Sequence, residues 1–162
     1  MVLGIRHTGI VVTDLRRAAA FYAETFGFAE VSSARERGGF IEGLVGLTNV
    51  ELTWVKMTAE DGSLLELLQY HSPRSPERPG LQEANALGCS HVAFTVDDLE
   101  ATLDRVQGHG GDKGTGVQAS PDGKVLVAYA RDPEGNILEL VEERRTENNI
   151  PHSNEQTTMG DI

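Results

Sequence analysis

The chain contains a single cysteine, Cys89, so no intrachain disulfide can form and a cytoplasmic protein is the expectation. Cys89 stands just before an apolar run, where a thiol is expected to be buried and inert. Basic residues are scarce: 14 Lys and Arg stand against 25 Asp and Glu, for a net charge of −11. That balance excludes a nucleic-acid binder, which needs basic patches, and fits poorly with an anionic membrane surface. It leaves room for a small anionic substrate, because a metal or a few local cations can dominate a pocket's field. No run of 18 or more apolar residues is present, so no membrane span is expected. The opening MVLGIRHTG lacks the layout of a signal peptide. At 162 residues the chain is long enough for one domain with a real core.

What the sequence does have is a phrase written twice. HTGIVVTDL begins at His7 and HVAFTVDDL at His91. Each starts with histidine, alternates apolar residues and reaches Asp-Leu. Each is followed later by a second shared phrase, GSLLELL around Glu66 and GNILELV around Glu139. The histidines are 84 residues apart and the glutamates 73, so the second copy is eleven residues shorter in its middle.

Both copies read as strand, helix and three strands. In the first, His7–Thr13 alternates like a strand, and Asp14 is placed to cap a helix over Leu15–Phe26 that ends at Gly27. Strands are expected near 29–35, 50–57 and 63–70, with Asp61-Gly62 as a hairpin turn. In the second, a strand at 91–96 leads to a helix capped by Asp97 or Asp98 and running to about Gln107. Strands near 116–119, 124–131 and 136–142 follow. Module one thus spans 5–71, a proline-bearing linker 72–88, and module two 89–143, making a single domain over 1–143. From 144 to 162 the chain is a polar tail.

Alternate residues of a strand share a face. By that rule Glu66 lies with Leu64, Leu68 and Tyr70, and Glu139 with Ile137 and Val141. A carboxylate among apolar neighbours is costly to bury unless it is paired or bound to a cation. A lone histidine at a strand start, or a lone glutamate in a strand, is ordinarily a surface or hydrogen-bonded residue. Four such residues at matching places in two copies point instead to one shared role: His7, Glu66, His91 and Glu139 as ligands of a metal ion. Two imidazoles and two carboxylates suit Zn, Ni, Co, Mn or Fe and leave positions open for a substrate.

HTGIVVTDLRRAAAFYAETFGF, DGSLLELLQY, SHVAFTVDDLEAT and RDPEGNILEL together resemble the vicinal-oxygen-chelate superfamily, in its glyoxalase I and methylmalonyl-CoA epimerase branch. The resemblance covers about Ile5 to Glu142. It implies an α+β fold of two paired βαβββ modules forming an open, cup-like eight-stranded sheet. It also implies one divalent metal on His7, Glu66, His91 and Glu139, and a homodimer acting on a small molecule. The modules could pair within one chain or across two. The implied activity is that of a glyoxalase-like lyase or epimerase-like isomerase. Such an enzyme chelates neighbouring oxygens of a carbonyl compound and moves a proton through an enolate or enediolate.

Glu139 is the expected base. VELTWV around Glu51 resembles the epimerase strand that bears a second, non-ligand catalytic glutamate. Glu66 departs from the glutamine usual in the epimerase. Two alternatives stand beside this. One is a ring-cleaving dioxygenase using His7, His91 and Glu139 as a 2-His-1-carboxylate triad. The other is a metal-free binder resembling the bleomycin-resistance proteins. Arg6, Arg35, Arg37 and Arg131 are candidates for holding a substrate anion, whereas His71 and His109 have no counterpart in the other half.

Overall fold

A computed structural model describes residues 1–76 and 81–144. The expected order is present. Module one runs β1 (Thr8–Val11), α1 (Leu15–Phe26), β2 (Ala29–Arg37), α2 (Gly39–Val45), β3 (Glu51–Thr58) and β4 (Leu64–Ser72). Module two runs β5 (Val92–Thr95), α3 (Leu99–Gly108), β6 (Gln118–Ala119), β7 (Val125–Arg131) and β8 (Ile137–Glu143). Each module forms its own four-stranded sheet, β1-β4-β3-β2 and β5-β8-β7-β6. In both sheets the first strand pairs parallel to the last, and the remaining pairs are antiparallel. The α+β fold of two βαβββ modules is therefore as expected. Within this chain its eight strands divide between two sheets.

The duplication extends to the helix starts. Asp14 accepts from the Arg17 amide and Asp98 from the Ala101 amide, each capping its helix. Gln69 accepts from the Leu15 amide, and Glu142 accepts from the Leu99 amide at the matching place. Each last strand thus holds the first turn of its own module's helix, satisfying N–H groups the helix cannot.

One face of each sheet packs on helices. Ile10, Val55, Met57, Leu65 and Leu67 cover one side of α1, and Ala128, Ala130, Leu138 and Leu140 pack with α3 in the same continuous core. The helices join the modules. α1 lies against α3, and Tyr22, Phe26 and Phe28 close around Phe94 of β5. Each such ring contributes roughly 2 kcal/mol by burial. A polar clasp adds direction. The Tyr22 hydroxyl donates to Asp132 at 2.8 Å, and Glu134 accepts from the amides of Thr13 and Asp14 and from the Thr13 hydroxyl. Burial pushes the Tyr22 phenol well above its ordinary range, and the Asp132 carboxylate adds to that shift.

Two details differ from expectation. The segment after β2 holds a seven-residue helix, α2, which the sequence reading left without structure. Two of its seven residues are glycine and no side chain caps its start, so its local preference is weak. Ile41, packed with Val50 and Leu52, supplies what propensity does not. Cys89 is exposed rather than buried, because it precedes β5 in the loop that leads into the strand. Of the linker, 77–80 lies outside the described residues, as does 145–162 of the expected tail. The described part after residue 80 is tied to module two by Arg131, which donates to the carbonyl of Gln82.

Candidate functional site

The helices cover one face of each sheet, so each module has a second face turned away from the shared core. His7 and Glu66 lie on that open face in module one. Gly9 is paired with Glu66 across the parallel β1–β4 ladder, and His7, two residues before Gly9, falls on the same side. Its Nε2 lies 3.0 Å from Glu66 Oε2. Module two repeats this: Ala93 is paired with Glu139, and His91 Nε2 lies 2.9 Å from Glu139 Oε2.

The four side chains named from the sequence thus come together as two pairs. Among the described residues no three His, Cys, Asp or Glu side chains gather as a metal-binding group. The reason is architectural. The two open faces belong to separate sheets, and both are turned away from the core that joins them. A chain folded this way presents two candidate half-sites.

Each half-site has a third member that the sequence reading did not single out. Lys56 on β3 is paired across the ladder with Glu66, and Tyr129 on β7 with Glu139. Lys56 Nζ is 3.4 Å from Glu66 Oε1, the oxygen that does not face His7. The Tyr129 hydroxyl is 3.4 Å from His91 Nδ1, and the two rings are 5.2 Å apart. The signal was available. Lys56 and Tyr129 stand ten residues before their glutamates, at the same 73-residue offset as the glutamates themselves.

The donor chemistry fits a cation. In each half an imidazole nitrogen and a carboxylate oxygen stand about 3 Å apart, on a face open enough for a small ligand to reach. His91 Nδ1 is held by the Ser90 hydroxyl at 2.8 Å, which leaves Nε2 for an ion. His7 Nδ1 is buried without a hydrogen-bond partner among the described residues.

The other candidates are placed elsewhere. Glu51 alternates with Leu52, Trp54 and Lys56, so it projects from the face opposite to Glu66 and forms an ion pair with Arg35 at 2.8 Å. That corrects its assignment to the catalytic face, for which the VELTWV match was too short a guide. Arg35 is occupied by the same pair. Arg131 donates to the carbonyls of Gly135 and Gln82 and serves the turn and the linker. His71 meets Thr53 and His109 meets Glu24, both away from the two half-sites.

A cleft of about 930 Å³ lies along the outer edges of β1 and β5, lined by His7, Thr8, Phe26, Val92, Phe94 and Arg105 among others. Glu66, His91 and Glu139 are not in its wall, but His7 is, so the cleft meets the open face of module one at the edge of β1. Among the described residues neither β1 nor β5 has a strand partner on that side. Beside it, the apolar side chains of Met1, Val2, Leu3 and Ile5 are almost fully exposed.

Residues 4–140 match the Glyoxalase/Bleomycin resistance protein/Dioxygenase superfamily, and the chain belongs to it. It is 29% identical over 146 residues to the ethylmalonyl-CoA/methylmalonyl-CoA epimerase of Cereibacter sphaeroides, covering 86% of this chain and 98% of that one. It is 23% identical over 146 residues to the lactoylglutathione lyase of Haemophilus influenzae, covering 90% and 97%. Among solved structures, a glyoxalase family protein from Bacillus cereus superposes with a TM-score of 0.82 at 27% identity, covering 90% of this chain and 97% of that one. No helix among the described residues is long and apolar enough to cross a membrane.

Proposed function

We propose that the chain is a metal-dependent lyase or isomerase, of the glyoxalase or epimerase kind, that moves a proton next to a carbonyl of a small substrate. The observation that carries this is the matching distance of the two His–Glu pairs, 3.0 Å and 2.9 Å, at equivalent positions of a duplicated fold. His7, Glu66, His91 and Glu139 would hold one divalent ion, drawn from Zn, Ni, Co, Mn or Fe. Such an ion, when bound, supplies Lewis acidity to two neighbouring substrate oxygens.

The chain's own residues do the rest. Glu139 Oε2 meets His91, which leaves Oε1 as the oxygen that accepts the substrate proton and returns it. Glu66 is the corresponding carboxylate of the other half, but its two oxygens face His7 and Lys56, which leaves Glu139 to remove the proton and to return it. Tyr129, paired with Glu139, has its hydroxyl 3.4 Å from His91 Nδ1 and would help to fix that ring.

The half-sites would be joined by a second copy of the chain. The free edges of β1 and β5, the cleft along them and the uncovered apolar arm Met1–Ile5 are what a homodimer would bury. Pairing β1 of one copy with β5 of the other would continue the sheet to eight strands. It would set His7 and Glu66 of the first copy against His91 and Glu139 of the second.

The test is metal analysis of wild type beside His91→Ala and Glu139→Ala. Near-complete loss of the ion in both variants is expected, and unchanged content in both would refute the site. Proton exchange on 2-oxo thioester and hemithioacetal substrates then separates epimerase from lyase. Oxygen uptake on catechols by an iron-loaded protein would favour the dioxygenase instead. A wild type that takes up none of these metals would favour a ligand-sequestering binder.

A further inference from the structure

We infer that Lys56, set in place by Trp54, reads a negative charge on the substrate, so that the molecule handled is an anionic carbonyl compound such as a 2-oxo or 2-hydroxy carboxylate. This rests on the reading of His7, Glu66, His91 and Glu139 as metal ligands and names the substrate class for that site.

The two half-sites are equivalent in their ligand pairs and differ at the third position. Lys56 faces Glu66 in one, and Tyr129 faces Glu139 in the other. One is a fixed cation and the other a neutral hydroxyl. A site built from both therefore has a charged side and an uncharged side, and a substrate with two neighbouring oxygens is oriented by which of them bears the charge.

Lys56 is held for this. Its Nζ sits 4.7 Å from the centre of the Trp54 ring, and the Trp54 indole N–H donates to Glu36 at 2.6 Å. Glu36, Trp54, Lys56 and Glu66 thus form a row across the open face of β2, β3 and β4. A lysine left free would extend into water. This one is only 28% exposed, with its stem packed and its head over an aromatic ring. Glu66 engages one of its three N–H donors, and the others have no acceptor among the described residues.

Charge counting gives the direction. Two carboxylates cancel a divalent ion, so the four ligands and their metal are neutral together. The rest of the chain is strongly acidic, at −11. By strand alternation, no other lysine or arginine shares the open face of β2, β3 and β4 with Lys56. Glu36 adds a carboxylate to that face, held by the Trp54 N–H, and the positive charge that an anion would meet beside Glu66 is the Lys56 ammonium.

The test uses two small chelators of the same shape on the full chain loaded with Mn(II). Oxamate carries one negative charge and oxamide carries none. Calorimetry gives the ratio of their affinities in wild type, Lys56→Met, Lys56→Gln and Lys56→Arg. The metal's own preference for a charged ligand is common to all four proteins and drops out on comparison. A charge-assisted contact predicts that the oxamate-to-oxamide ratio falls about tenfold or more in Lys56→Met and Lys56→Gln. It is largely kept in Lys56→Arg, and oxamide binding is unchanged throughout. A lysine that only balances Glu66 would shift both chelators together, and an unchanged ratio in Lys56→Met overturns the inference while leaving the metal reading intact. If wild type takes up no Mn(II), Zn or Ni, the metal reading fails first and this inference with it.

Discussion

Tyr22 of the first module donates its hydroxyl to Asp132 of the second at 2.8 Å, and both residues are almost wholly buried. Asp132 also accepts from the amides of Glu134 and Asn136 and from the Asn136 side chain, so four donors hold one carboxylate. The bond fixes how the helix of one half meets the last turn of the other. Tyr22→Phe keeps the ring and removes that tie, and a loss of about 1.5–3 kcal/mol of stability is expected, the range for a bond to a charged group. The phenol's pKa is raised in the fold above its unfolded value near 10. That contribution is complete below about pH 10 and is lost as pH rises further, because only the unfolded chain then releases the proton. The stability gap between wild type and Tyr22→Phe should be level from pH 8 to about 9.5 and shrink above 10. Urea unfolding of both proteins at stepped pH measures it, and a gap still level at pH 11 would contradict the linkage.

Ser90 meets His91 Nδ1 at 2.8 Å, closer than Tyr129 at 3.4 Å, and on the proposed function it would orient this imidazole for an ion. The equivalent place in the first module is Arg6, and His7 Nδ1 has no such partner among the described residues. Ser90→Ala should therefore weaken Zn or Mn(II) binding about tenfold, at the lower end of what loss of a ligand-supporting hydrogen bond costs. Competition with a fluorescent chelator reads this directly. Equal affinity in wild type and variant would mean that the hydroxyl does not set the ring.

Much of the site could be read in the sequence because it is written twice. Asp14 and Asp98, Leu15 and Leu99, and Gln69 and Glu142 occupy matching places and make matching bonds. The third member of each half-site was equally available, since Lys56 and Tyr129 align without a gap ahead of their glutamates. A Lys matched to a Tyr does not look like a repeat until the strands are paired. Two features were not legible. The helix Gly39–Val45 exists through Ile41 packing on Val50 and Leu52, contacts that local propensity does not encode. The separation of the half-sites depends on which face of each sheet the helices cover, and alternation within a strand cannot decide that between two modules.

Gly114 tests how closely the backbone packs beneath Tyr129. It has φ +67, and a Cβ there would lie 1.8 Å from the Tyr129 carbonyl oxygen. Gly116 has φ +86 with nothing within 4 Å. Gly116→Ala should cost only the left-handed backbone conformation, about 1–2 kcal/mol. Gly114→Ala adds a clash with a strand that has nowhere to move, and a total nearer 3–5 kcal/mol is expected. At roughly 2–4 °C per kcal/mol for a chain of this size, the two melting temperatures should differ by about 2–16 °C. Equal melting temperatures would mean that β7 gives way freely.

The division of the four proposed ligands into two pairs makes a prediction about mixed dimers. Let one protein carry His7→Ala with Glu66→Ala, and another His91→Ala with Glu139→Ala. Each alone lacks half of every site and should bind no metal tightly. In a dimer whose sites are shared between chains, a mixed pair joins the intact first module of one copy to the intact second module of the other. That restores one site and leaves its companion with no ligands at all. Mixing the two inactive proteins, after mild denaturation to exchange subunits, should therefore recover metal binding, at one ion per mixed dimer. A site made within a single chain gives no recovery, because neither chain holds both halves. Metal content of the mixture separates the outcomes, with size-exclusion chromatography confirming that dimers have formed. Recovery would fix the pairing across copies, and its absence in a confirmed dimer would show that the sheets must rearrange within one chain to close the site.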